Sequence, residues 1–186
     1  MNNTYTYKVT GLGQKNKFHD DNAYHDSIHY ITNPQKAMYV GSCNIKDINH
    51  AAEEMEAVSE SYGKNHGKRV RHSILSFGSH SGLSPEQAAQ YASQIIQHYA
   101  PEYQMVYALH VNTDDLHVHF VMNQTAFTDG HKYSGKKLDY YQFLSHMRNV
   151  THHQVIPVRW NIKKKRAASA ALFLWIGDNL IFKNDL

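Results

Sequence analysis

The stretch His110-Val-Asn-Thr-Asp-Asp-Leu-His117-Val-His119-Phe-Val-Met-Asn123 decides how this chain folds. Its flanks are two alternating, strand-like runs, residues 104–111 (QMVYALHV) and 116–122 (LHVHFVM). Between them lies Asn112-Thr113-Asp114-Asp115, a short turn rich in Asn and Asp, which is the signature of a β-hairpin. With Thr113 and Asp114 at the turn, His110 lies directly opposite His117. Side chains two apart on a strand share a face, so His117 and His119 point the same way and His110 joins them across the ladder. Asn123 falls on that face as well. The other face carries Leu109, Val111, Leu116, Val118, Phe120 and Met122 and is built to pack on helices. Directly opposite residues have Cβ atoms roughly 5 Å apart. Three imidazoles therefore converge on one side of a rigid ribbon. Three histidines with an open fourth position describe a catalytic metal site rather than a structural one.

The chain around this hairpin reads as a mixed α+β pattern. Residues 4–10 alternate as a strand. Asp20 and Asp21 are placed to cap a helix running to about Ile31, stopped by Asn33-Pro34, because the residue before proline is pushed out of helical geometry. Residues 38–45 read as a strand, Asn49 caps a second helix to about Tyr62, and residues 72–77 (HSILSF) read as a buried strand. Ser84, Pro85 and Gln87 form a capping box with proline at the first helical position. A last helix spans Leu138 to His152. Strands adjoin strands with helices inserted between them. The expected architecture is a largely antiparallel sheet with helices packed on one face, the other face carrying the histidines.

At 186 residues, 41% hydrophobic and 19% charged, the chain has room for one core. We expect the domain to span 1–162, followed by a basic segment and tail at 163–186. The single cysteine, Cys43, excludes an intrachain disulfide framework and Cys-based zinc fingers, and suits a reducing, cytoplasmic setting. No stretch reads as a secretory signal, and the apolar run from Ala170 to Ile176 is too short to span a membrane. The net charge of +3 permits a nucleic-acid partner without arguing for one.

The histidine segment resembles the third motif of conjugative relaxases, the plasmid-mobilisation nucleases of the HUH endonuclease superfamily. In that family a first histidine is followed seven and nine residues later by a histidine–hydrophobe–histidine pair and then an asparagine, as here. His29-Tyr30-Ile31-Thr32-Asn33-Pro34-Gln35-Lys36 resembles the first motif, a tyrosine near the end of an early helix with an Asn-Pro-x-Lys stretch after it. His72-Ser73-Ile74-Leu75-Ser76-Phe77 resembles the second, a central strand carrying a serine. The resemblance covers roughly residues 20–150.

It implies nicking of one DNA strand at a transfer origin. Tyr30 would attack the scissile phosphate, leaving a 5′-phosphotyrosine and a free 3′-hydroxyl, while His110, His117 and His119 hold a divalent metal. Tyr24, His25 and His29 share the early helix and compete for the nucleophile's role. Ser76 and Asn123 would position DNA. The position two residues after the first histidine, often acidic in the family, is Asn112 here, which turns attention to Asp114 as the catalytic carboxylate. The resemblance implies Mn²⁺ or Mg²⁺, and imidazole ligands also suit Zn²⁺, Co²⁺ or Ni²⁺. Single-strand grooves combine cations with aromatic platforms. Two clusters fit that description: Lys68, Arg69 and Arg71, and Lys132, Tyr133, Lys136 and Lys137. The implied partners are single-stranded or hairpin DNA at a transfer origin, accessory relaxosome proteins and a coupling protein, with no membrane insertion. Two other readings fit the histidine pair: an HUH replication initiator or transposase, and a catalytically weak origin-binding module. A tyrosine placed ahead of the histidines favours the relaxase.

Overall fold

A computed structural model describes residues 4–11 and 17–158. Six strands form one sheet in the order β2-β4-β5-β3-β1-β6. These are β1 (Thr4–Val9), β2 (Ala37–Cys43), β3 (Val70–Ser76), β4 (Met105–His110), β5 (His117–Asn123) and β6 (Gln154–Pro157). Every neighbouring pair is antiparallel except β1 with β6, which is parallel. Four α-helices cover it: α1 (Ala23–Thr32), α2 (Ala51–Ser61), α3 (Pro85–Ile95) and α4 (Lys137–Thr151). The α+β, mainly antiparallel fold is thus as expected. The basic segment and tail expected at 163–186 lie outside the described residues.

The two sheet faces are packed differently. One face is mostly apolar. Tyr5, Tyr7, Leu75, Leu109, Val118, Phe120 and Met122 are buried there against Ala88, Ala92 and Ile95 of α3 and Phe143, Leu144 and Met147 of α4. The capping box at Ser84 is present, with Gln87 N–H donating to Ser84 Oγ and Ser84 N–H to Gln87 Oε1. The histidine face is covered only in part, by α1 and α2. Tyr24, Ile28 and Ile31 of α1 and Ala51, Ala52 and Met55 of α2 pack on Val70, Val106, Ala108 and Val121. The expectation put the helices on one face; α3 and α4 are there, but α1 and α2 sit on the second face and wall one side of the histidines. Their amphipathic stripes do not say which side of the sheet they choose, since either side buries apolar area.

Two helix starts differ in detail from the sequence reading. Asp47, not Asn49, caps the short 3-10 turn that precedes α2, accepting from the Asn49 backbone N–H. Asp21 does not cap α1; its carboxylate pairs with the Arg69 guanidinium. Among the described residues no helix is long and apolar enough to cross a membrane.

Candidate metal and nucleophile site

The hairpin register places His110 opposite His117 and Ala108 opposite His119. The loop is longer than a two-residue turn, because β4 stops at His110 and β5 starts at His117, yet the pairing is the one the alternation implies. One ring nitrogen from each of His110, His117 and His119 lies within 4.8 Å of the others. His110 and His119 are buried, while His117 is half-buried. The small side chain of Ala108, across from His119, leaves room for the ring cluster.

Each ring is held by its outward nitrogen. His110 Nε2–H donates to the Ile31 carbonyl at 2.7 Å, at the end of α1. His117 Nδ1–H donates to the Asp115 carbonyl at 3.0 Å. A backbone carbonyl only accepts, so these contacts fix the tautomers and leave Nδ1 of His110 and Nε2 of His117 with free lone pairs. His119 Nδ1 lies 2.8 Å from His72 Nε2. When His119 offers Nε2 as a ligand, its Nδ1–H donates to His72. Such outer contacts are the usual way a protein orients metal-binding imidazoles.

The electrostatics agree. Burial, with His72, His110, His117 and Lys36 adding positive charge, pushes His119 down to about 2. Burial, Lys17 and His110 push His72 down to about 4. His110 is also lowered, chiefly by burial. These rings are therefore neutral near neutral pH, the form that binds a metal. Neutral imidazole donors, oriented and unprotonated, fit a divalent cation.

Tyr30 stands at the rim. It occupies the last turn of α1, and its ring centroid is 5.6 Å from that of His119, 6.0 Å from His72 and 6.4 Å from His110. It is 49% exposed, unusual for a large aromatic beside so many others. The competing side chains on α1 are placed otherwise. Tyr24 is fully buried, with its hydroxyl 2.6 Å from Ser59 Oγ and 3.3 Å from Asn123 Oδ1. His25 faces Glu56 at 3.8 Å, and His25 and His29 line a hollow between α1 and α2.

Other sequence candidates divide. Ser76 pairs with His117 in the β3–β5 register, on the histidine side of the sheet. Asp114 is exposed in the connecting loop, and among the described residues no hydrogen bond or ion pair joins its carboxylate to the histidines or Tyr30. Asn123 shares the histidine face but is fully buried. Its Nδ2–H groups donate to the Met55 carbonyl (2.8 Å) and Gln104 Oε1 (3.0 Å), and its Oδ1 accepts from Thr125 N–H (3.0 Å) and Ser59 Oγ (3.2 Å). The structure thus corrects the DNA-contact assignment of Asn123: it is an internal brace. Arg69 is likewise buried and paired with Asp21, with Glu56 at 4.0 Å. Arg71 points to the opposite face, 4.9 Å over the Tyr133 ring. Tyr133 donates to Asp139, and Lys132 Nζ donates to the Lys64 carbonyl at 3.2 Å. Lys136 and Lys137 are exposed at the start of α4. The second cluster follows the far end of β5, about 20 Å along the strand from His117. It does not meet the histidines.

Sequence reasoning missed three neighbours of the site. His72 is brought in by β3, whose pairing with β5 joins residues far apart in sequence. Phe18 has φ +68 and presents its ring 6.1 Å from that of His72, with Lys17 Nζ 5.2 Å and Lys68 Nζ 6.0 Å from its centroid. Lys68, of the first basic cluster, is thus the member that reaches this side. The strained backbone at Phe18 leaves no sequence signal, whereas the histidine four residues ahead of Ser76 was visible and unread.

Residues 30–155, more than half of the chain, match the family described as relaxase, MobA/VirD2-like, nuclease domain. The chain belongs to this family. Among its relatives, Protein rlx of Staphylococcus aureus is 32% identical over 91 residues, covering 49% of this chain and 27% of that protein. The group II intron-interrupted relaxase LtrB of Lactococcus lactis subsp. cremoris (strain MG1363) is 30% identical over 139 residues, 60% of this chain and 24% of the relative. This relaxase domain therefore spans about a quarter of the length of the curated relatives it matches.

Proposed function

We propose that this relaxase domain nicks and rejoins one DNA strand at a plasmid transfer origin, and so starts conjugative mobilisation. The observation that carries the reading is a half-exposed Tyr30 ring 5.6 Å from His119, at the edge of a three-histidine cluster in which one ring nitrogen from each lies within 4.8 Å of the others. Tyr30 Oη forms a bond to the scissile phosphorus as the P–O3′ bond breaks, giving a 5′-phosphotyrosine and a free 3′-hydroxyl. The phosphoryl linkage is retained, so rejoining needs no external energy source.

His110, His117 and His119 would hold the ion, and the outer hydrogen bonds to Ile31, Asp115 and His72 keep their rings aimed. A bound divalent cation supplies positive charge to the non-bridging oxygens and polarises phosphorus. Mn²⁺ suits an all-imidazole set better than Mg²⁺, which favours oxygen ligands. α1 sets the phenol beside the cluster. Ser76, next to His117, borders the path of the strand. Phe18 with Lys17 and Lys68 offers a stacking face and two cations on the same side, the combination that single strands require. The substrate is single-stranded or hairpin-flanked DNA, in the cytoplasm, and accessory proteins and a coupling protein complete the machinery.

Incubating the protein with Mn²⁺ and labelled oligonucleotides from the element that encodes it should give a protein–DNA adduct stable on a denaturing gel. Tyr30→Phe should abolish the adduct and leave DNA binding within about twofold, since only the phenolic oxygen is removed. A Tyr30→Phe protein that still forms the adduct would remove Tyr30 from the role.

A further inference from the structure

Lys36 is unaccounted for by the site as described. It closes the turn that joins α1 to β2, and the turn is rigid. Gln35 N–H donates to Asn33 Oδ1, and the N–H groups of Lys36 and Ala37 both donate to the Asn33 carbonyl, each at 2.9 Å. The Lys36 carbonyl accepts from Val111 N–H at 3.3 Å, and the next residue, Ala37, is the register partner of His110. Both backbone polar groups of Lys36 are therefore tied, one to the end of α1 and the other to the strand end that carries the first histidine.

The side chain is half-buried, and its Nζ lies 5.2 Å from the Tyr30 ring centroid. Its charge is felt at both His110 and His119. Among the described residues no carboxylate comes within ion-pair distance of this ammonium. The face of the Tyr30 ring attracts this ammonium only weakly, and among the described residues no anion neutralises it beside the histidine cluster. Its placement is explained if an anion enters between them.

We infer that Lys36 binds the phosphate under attack, donating from Nζ to a non-bridging oxygen as Tyr30 Oη approaches. This rests on Tyr30 acting as the nucleophile. In the step, the Oη–P bond forms and the P–O3′ bond breaks. The proton lost by the phenol is balanced by the one gained by the 3′-oxygen, and Lys36 keeps its own protons throughout. The contact tightens as charge builds on the phosphoryl oxygens, so it acts on the rate more than on the affinity. A lysine suits this as a mobile point charge on a flexible stem.

The test takes a single-stranded oligonucleotide that the wild-type protein captures covalently from a randomised pool in the presence of Mn²⁺. Single-turnover adduct formation is then compared for wild type, Lys36→Met, Lys36→Arg and Tyr30→Phe, alongside binding by fluorescence anisotropy and thermal melting. Lys36→Met keeps the apolar stem and removes the charge. It should slow adduct formation about 100-fold, with affinity changed less than threefold and the melting temperature unmoved. Lys36→Arg should recover to within about tenfold of wild type. Equal losses in Lys36→Met and Lys36→Arg would assign the side chain a packing role on Tyr30 and overturn the inference. So would a Lys36→Met protein at the wild-type rate while Tyr30→Phe is dead; the function then stands and this contact falls. A wild-type protein that captures nothing from the pool overturns both.

Discussion

The two ends of the β4–β5 ribbon carry polar clusters of similar size and opposite character. At one end, His110, His117 and His119 turn their outer nitrogens to fixed acceptors and keep their inner lone pairs unused. At the other, Asn123 spends its amide on five partners, and nearby Tyr133 donates to Asp139 and lies under Arg71. Both ends lie on the same strands and both are rich in residue types that bind nucleic acid or metal. What separates them is how ligand atoms gather: one ring nitrogen from each of three histidines lies within 4.8 Å of the others at the first end, whereas at the second Asn123 is fully paired inside the protein and Arg71 Nε is buried without a partner. A buried polar group normally finds a partner inside the protein. Where several share one leftover acceptor direction, a ligand is the missing partner.

The comparison breaks first at the histidines. His119→Ala should lose Mn²⁺ binding by calorimetry and slow nicking by about 1,000-fold or more, because two imidazoles and a water cannot hold the ion as three do. If His119→Ala nicks normally with Mn²⁺ present, the histidine end is no different in kind from the other. At that other end, Asn123→Ala should cost about 3 kcal/mol in urea unfolding, through orphaned groups on α2, β4 and the β5 end. Nicking per folded molecule should be unchanged. A stable Asn123→Ala protein with impaired nicking would reverse the assignments of the two ends.

Smaller effects sharpen the contrast. His72→Leu removes the partner of His119 Nδ1 but no ligand, so Mn²⁺ affinity should fall about 10–100-fold. Affinity unchanged in that variant would show that the His72 contact orients nothing. Acid should reveal the same ring. His72 sits at about 4 when folded against a usual 6.5, so its proton is taken up first by the unfolded chain. Stability from this group is full above 6.5 and is lost as pH falls from 6.5 towards 4. For the metal-free protein that amounts to about 1 kcal/mol by pH 5.5 and roughly 3 kcal/mol at pH 4. Urea titrations at pH 7.5 and 5.5, on wild type and His72→Leu, measure it as a difference that shrinks in the variant.

Most of the site's frame was legible in the sequence because it is local. A two-residue side-chain period and an Asn/Asp-rich turn fix His110 against His117, and a helix stopped by Asn33-Pro34 brings Tyr30 to a helix end. What escaped was long-range. The pairing of β3 with β5, which delivers His72 and Ser76, joins segments separated by an α-helix, a 3-10 turn and a strand. Neither α1 nor α2 announces which face of the sheet it covers, so the burial of Tyr24, and with it the elimination of a rival nucleophile, needed the packed structure. Asn123 looked like a site residue because strand alternation puts it on the right face. Alternation says nothing of depth, and the helices that cover it come from elsewhere in the chain. The same limit made one basic cluster of Lys68, Arg69 and Arg71, although only Arg71 lies on β3 and it points away from the side that Lys68 reaches. β6, four residues pairing parallel to β1, is too short to announce itself.

The tethering of three rings through their outer nitrogens has a consequence for the life of the protein. Backbone carbonyls and a neighbouring imidazole already do the aiming, so the rings are positioned by the fold itself, before the proposed cation arrives. A chelator should therefore strip the proposed activity from a chain that stays folded, and restoring a divalent cation should bring it back without refolding.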